Sequence, residues 1–105
     1  MFSKKKRVTK ELFQVIMKKG DVLSSPLFVF RYIKQNEPHF AFVAPKTVAK
    51  QAVARNKLRR QGYTALRTLP LKNCSGIFFY KKEAKKASYQ EIKASIEQII
   101  LKIKA

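Results

Sequence analysis

Acidic side chains are scarce in this sequence: six Asp and Glu stand against 24 Lys and Arg, which leaves a formal charge of +18 on 105 residues. A small body so charged repels itself, and the repulsion lowers folding stability until a polyanion relieves it. An acidic partner is therefore expected. Cysteine is almost missing too. Cys74 stands alone, so no internal disulfide can form, and a reducing compartment, the cytoplasm, is the expected location. One Cys and one His, His39, cannot build a zinc site. The few carboxylates are scattered, with no spacing that brings two together on one element, so acid–base or nucleophilic catalysis by the chain itself has little to rest on. Gly20, Gly62 and Gly76 are isolated, which excludes a glycine loop that cradles phosphate. The longest apolar stretches, around Phe40 to Pro45 and Ile77 to Tyr80, fall well short of the ~18 residues that span a bilayer. The opening Met-Phe-Ser-Lys-Lys-Lys-Arg lacks the apolar run of a signal peptide.

Hydrophobic residues are plentiful, at 46% with eight Phe and four Tyr, far above what a disordered basic arm carries. The length fits one domain with a packed core. Between Glu37 and Glu83 no carboxylate occurs, while Lys46, Lys50, Arg55, Lys57, Arg59, Arg60, Arg67, Lys72, Lys81 and Lys82 accumulate. A peripheral membrane binder would set exposed Trp, Phe or Leu opposite such a basic face. Here the apolar residues are needed inside, so nucleic acid is the expected partner and a membrane is not.

Residues 1–8 read as a basic flexible tail and 9–105 as the folded domain. Thr9 can N-cap a helix to about Lys19, with Leu12, Phe13, Ile16 and Met17 spaced as one buried stripe and Gly20 placed as a left-handed C-cap. A short strand is possible near Asp21 to Leu23. Leu27 to Lys34 and His39 to Ala44 read as strands joined through Gln35-Asn36-Glu37-Pro38, hence a hairpin. Alternation puts Phe28, Phe30 and Tyr32 on one face and Val29, Arg31 and Ile33 on the other; Phe40 and Phe42 likewise oppose Ala41 and Val43. One face is bulky, the other lean.

From about Ala52 to Leu69 the period becomes helical, with Ala54, Leu58, Gly62, Ala65, Leu66 and Leu69 inside roughly 120° of arc at ~100° per residue. Asn56, Arg60, Tyr63 and Arg67 fall opposite. Gly62 on the buried side predicts a close pass over a strand. Pro70 ends the helix, Leu71 to Ser75 reads as loop, and Gly76 to Lys81 as a strand reached by helical crossover. Ser88 and Glu91 form a capping box for a last helix whose stripe is Tyr89, Ile92, Ile96, Ile99, Ile100 and Ile103. The order is α, β, β, α, β, α with the optional short strand, an α+β single domain.

Only six basic residues are Arg, yet Arg55, Arg59, Arg60 and Arg67 share one helix. Guanidinium groups fork onto phosphate and stack on bases, whereas lysines act as mobile point charges. Arg55 and Asn56, in the first turns, can add side-chain donors to backbone N–H groups that already favour phosphate.

The run Ala52-Val53-Ala54-Arg55-Asn56-Lys57-Leu58-Arg59-Arg60 resembles the Arg-Asn-x-x-(Lys/Arg)-Arg signature of the bacterial ribonuclease P protein component. Lys46-Thr47-Val48-Ala49-Lys50-Gln51 is similar to the family's lysine-rich lead-in. The likeness extends from the basic tail to Ser88-Tyr89-Gln90-Glu91. It implies an α-β sandwich of the ribosomal protein S5 domain 2-like kind, with a left-handed βαβ crossover against the usual rule. It also implies the protein subunit of an endoribonuclease that removes the 5′ leader of precursor tRNA, the catalytic centre lying in the RNA with Mg²⁺ held mainly by that RNA. By the same resemblance, Lys46, Lys50, Arg55, Asn56, Lys57, Arg59 and Arg60 would contact the catalytic RNA. Phe13, Met17, Val29 and Arg31 would line a leader-binding cleft between the sheet and the signature helix, with bases stacking on Phe13 and Arg31. The alternative is a structural RNA-binding protein of ribosomal type with no part in cleavage.

Several positions depart from the family pattern. Met17 and Arg31 stand where an aromatic is common, Thr47 and Gln51 replace frequent lysines, and Gln61-Gly62-Tyr63 breaks the charged continuation after Arg60. Ser75-Gly76 stands where an acidic residue often precedes the last strand.

Overall fold

The computed structural model describes residues 8–35, 38–70 and 73–103. The expected basic tail, apart from Val8, lies outside the described residues, as do Asn36 and Glu37 of the expected turn and Leu71 and Lys72 of the expected loop.

Helix α1 spans Lys10–Lys19 and begins as expected, the Thr9 hydroxyl accepting the Leu12 N–H at 3.2 Å. Its end differs from expectation. Gly20 is extended (φ −68°, ψ 144°) and donates its N–H to the Ile16 carbonyl at 2.7 Å. A β-carbon there would collide with that carbonyl and crowd the Tyr32 carbonyl at 3.2 Å. Close approach, not a left-handed conformation, accounts for the glycine. The chain then runs directly into β1 (Asp21–Ser24), followed by β2 (Phe28–Lys34), β3 (His39–Val43), α2 (Ala52–Arg67), β4 (Cys74–Tyr80), a 3-10 helix (Lys82–Lys86) and α3 (Tyr89–Lys102).

The sheet order is β1-β2-β4-β3. β2 and β3 therefore do not form the expected hairpin: β4 lies between them, antiparallel to β2 (Phe28 opposite Tyr80) and parallel to β3 (Phe40 beside Gly76). The reason is the apolar continuity of β4, in which Cys74 to Phe78 are all buried. A strand covered on both faces belongs in the centre, where both of its edges find partners. β2 supplies one edge and β3 the other.

The crossover from β3 through α2 to β4 is left-handed. With the lean face toward the viewer and β4 running upward, an L-residue of that face directs its N–H to the right. Lys81 donates to the Leu27 carbonyl at 2.8 Å, so β2 lies to the right of β4 and β3 to the left. α2 crosses on the far side, which reverses the hand that parallel connections usually take.

That far side is aromatic. Phe78 sits at its centre, with ring centroids of Phe30 at 4.3 Å, Phe42 at 4.7 Å, Phe28 at 5.5 Å and Phe40 at 6.2 Å. α2 covers it with Leu58, Gly62, Ala65 and Leu66. A β-carbon at Gly62 would meet the Phe42 ring and the Tyr80 hydroxyl at 2.7 Å, so the predicted close pass is real, and it spans both β3 and β4. Tyr80 also donates to the Leu58 carbonyl. Two expectations for α2 change. Ala54 is exposed because burial along the helix starts only at Leu58, and Tyr63, expected outward, is half-buried with its ring edge-on to Phe42 at 4.9 Å.

α3 opens with the expected capping box: the Ser88 hydroxyl accepts from Glu91 N–H and the Glu91 carboxylate from Ser88 N–H. Ile92, Ile96, Ile99 and Ile100 close the core. On the lean face, α1 lies over β2 and β4. Ile16 and Ile77 are fully buried there, but Leu12 and Phe13 are only half-buried and Met17 is exposed. The expected four-residue stripe on α1 narrows to one anchoring residue. Among the described residues no helix is long and apolar enough to cross a membrane.

Candidate nucleic-acid interface

The lead-in to α2 is a tight turn. The Pro45 carbonyl accepts from Val48 N–H at 2.9 Å and Ala49 N–H at 3.2 Å. Burial of Val48 and Ala49 leaves Lys46, Thr47 and Lys50 exposed. Arg55 stabilises this arrangement: its Nη1 donates to the Ala49 carbonyl at 3.1 Å and to the Lys50 carbonyl at 2.7 Å, and the side chain is half-buried. Arg55 thus works inside the protein, fixing the lysine-bearing turn to the helix.

Asn56, Lys57, Arg59 and Arg60 are exposed on the following turns. Arg59 Nη2 donates to Asn56 Oδ1, which orients the guanidinium along the helix surface. The Gln51 cap makes no side-chain hydrogen bond and the first turn holds no acid, so the leading N–H groups of α2 are not capped by a side chain of their own turn. These guanidinium hydrogen bonds of Arg55 and Arg59 go to carbonyl oxygens. The result is an exposed basic surface whose sign suits phosphate.

The other predicted group assembles elsewhere. Phe13 and Met17 come from α1, Val29 and Arg31 from β2, all on the lean side. Arg31 Nη1 donates to the Met17 carbonyl at 3.1 Å, a cation at a helix C-terminus, where the macrodipole favours it. These residues share the side of the sheet that α1 covers, away from α2, so they do not sit between the sheet and the signature helix as expected. The structure adds two residues that sequence reasoning passed over. Val29, Phe79 and Val43 are register neighbours across β2, β4 and β3, all half-buried, and form one apolar row. The signal was the alternation in β4, which turns Phe79 away from Phe78.

A family model described as Ribonuclease P matches residues 2–104. The chain belongs to the ribonuclease P protein family. Solved structures agree. A ribonuclease P protein mutant from Staphylococcus aureus, described as defective in mRNA degradation, superposes with a TM-score of 0.83 at 25% identity, covering 94% of this chain and 87% of that one. The ribonuclease P protein of Thermotoga maritima gives 0.82 at 19% identity, covering 94% and 98%. A search of curated proteins finds no match.

Among the described residues no group of three or more His, Cys, Asp or Glu is placed to hold a metal ion. Burial pushes the Cys74 thiol up to about 12, and burial likewise raises the Tyr80 phenol. Both stay neutral, and Cys74 has none of the thiolate character a nucleophile needs.

Proposed function

We propose that this chain is the protein subunit of a ribonuclease P, binding the catalytic RNA and the 5′ leader of precursor tRNA while the RNA, with its Mg²⁺, breaks the phosphodiester bond. The observation that carries the reading is the exposed set Lys46 and Lys50, on a turn that Arg55 ties down, and Asn56, Lys57, Arg59 and Arg60, on a helix whose first turn holds no acid. Folded RNAs repel one another, and cations placed between them lower that cost in a salt-dependent way. The lean face supports the second contact. Phe13, Met17, Val29 and Arg31, extended by Phe79 and Val43, offer apolar and guanidinium surface on which single-stranded bases can stack with little sequence preference.

Reconstitution tests the proposal. The protein is mixed with the ribonuclease P RNA of its source at low Mg²⁺, and leader removal from precursor tRNA is assayed. Stimulated cleavage is the expected result. Unchanged cleavage, with RNA binding intact, would favour a structural RNA-binding role instead.

A further inference from the structure

β3 and β4 are parallel neighbours, with Val43 beside Phe79, so the chain leaves both strands at the same end of the sheet. After β3 comes the turn bearing Lys46 and Lys50. After β4 comes Lys81 and then the 3-10 helix Lys82–Lys86, with the sequence Lys-Glu-Ala-Lys-Lys. Two basic segments 30 to 40 positions apart in sequence thereby leave from adjacent strand ends, and nothing in the signature helix itself accounts for the second.

The second segment is held firmly. Lys81 turns its ammonium inward, donating to Ser24 Oγ and to the Ser25 carbonyl, each at 2.8 Å, while its backbone N–H bonds Leu27. Ala84 is fully buried and accepts from Ala87 N–H at 3.2 Å. With one face pinned, Lys82, Glu83, Lys85 and Lys86 are all exposed. Three of these four outward side chains are cations, on a chain with few acids to pair them. Fixing like charges at one end of the sheet costs free energy, and an outside polyanion recovers it.

We infer that Lys82, Lys85 and Lys86 form a second contact to the phosphate backbone of the catalytic RNA, at the same end of the sheet as Lys46 and Lys50. The inference rests on the function proposed above and extends it beyond the signature helix. Catalytic RNA is favoured over the leader because the segment leaves the same end of the sheet as the lysine-bearing turn assigned to that RNA, whereas the leader is assigned to the lean face. Glu83 is the one repulsive group in the segment and sets its strength.

Binding of the full chain to the catalytic RNA, measured across a salt series, tests this. The triple substitution Lys82→Ala, Lys85→Ala, Lys86→Ala is expected to weaken binding at least about tenfold. It should also reduce the slope of log K against log salt by about 2, given about 0.7 to 0.9 per phosphate contact. Lys18→Ala, Lys19→Ala, Lys34→Ala removes equal charge from exposed positions elsewhere and should change both quantities far less. Glu83→Gln should tighten binding severalfold, a gain that a misfolded protein cannot mimic. Equal losses from both triple variants, or no gain from Glu83→Gln, would overturn the inference. So would a triple variant that loses only its discrimination between leader-bearing and leaderless precursor, since the segment would then serve the leader. Wild-type protein that fails to bind the RNA at all would remove the proposed function first, and the inference with it.

Discussion

Phe78 and Phe79 are adjacent in β4 and chemically identical, yet they do opposite things. Phe78 is fully buried among four other aromatic rings; Phe79 is half-buried on the lean face, in a row with Val29 and Val43. The two faces of one sheet divide the work, one holding the fold together and the other keeping apolar surface within reach of solvent. Stability resides where α2 and α3 cover the rings. On the other side, α1 covers the sheet with a single fully buried residue, Ile16.

The largest effect expected from this contrast is on folding. Phe78→Ala should cost about 3–5 kcal/mol by urea denaturation, as for other buried aromatics. Phe79→Ala should cost less, because part of its ring is never removed from water. Equal costs would mean that the lean face is ordinary core. Gly62→Ala sharpens the same point. Better helix propensity would gain about 1 kcal/mol, but the new methyl meets Phe42 and Tyr80 at 2.7 Å, and overpacking of about 1–3 kcal/mol should prevail.

Next in size is the split between the two RNA contacts. Arg59→Ala with Arg60→Ala should weaken catalytic RNA binding about tenfold to a hundredfold at unchanged melting temperature, since neither side chain is buried. Arg55→Ala should lower both binding and stability, because two carbonyls of the lead-in turn lose their donor. Phe13→Ala or Arg31→Ala should instead reduce the preference for leader-bearing over leaderless precursor by about fivefold, within the range of one lost base-stacking contact, and spare catalytic RNA binding. A Phe13 variant that unfolds would return that residue to the core.

The smallest effect is on alkaline stability. Cys74 has its folded pKa raised to about 12 from 9.0, so its contribution is complete below about pH 9 and is lost as pH climbs toward 12. Tyr80 acts in the same direction from a higher starting pH. In denaturant titrations over this range, Cys74→Ala should show a shallower decline than wild type. Parallel curves would mean that the thiol ionises as easily in the fold as out of it.

Local signals in the sequence translated well into structure. Thr9 and the Ser88–Glu91 pair are caps decided within four residues, and both form. The bulky and lean faces of β2 and β3 follow from the pleat, and the arginine-bearing helix from its periodicity. Pairing was different. The two aromatic strands look like a hairpin because nothing between them announces that a strand arriving after α2 will separate them. Gly20 had the right position for a left-handed cap, but β1 starts at the next residue and keeps the backbone extended. Tyr63 points to the polar arc by angle alone; its long ring reaches back to Phe42. The four residues expected beside α2 lie on the α1 side instead, because which helix covers which face is settled by the crossover, a long-range property. The internal role of Arg55 was equally hidden, since a side chain bonding carbonyls five and six residues upstream leaves no periodic trace.

The late arrival of the central strand has a consequence for biosynthesis. A ribosome delivers β2 and β3 well before the segment that must slip between them, so the nascent chain can pair β2 only with β1, on one edge, and carries β3 with no neighbour to zip against. Assembly waits for residue 80 to emerge, which makes any product truncated before it unable to close the sheet. During that wait the surplus of positive charge keeps copies apart. The electrostatic character that suits the mature protein to RNA thus also guards its own youth against clumping.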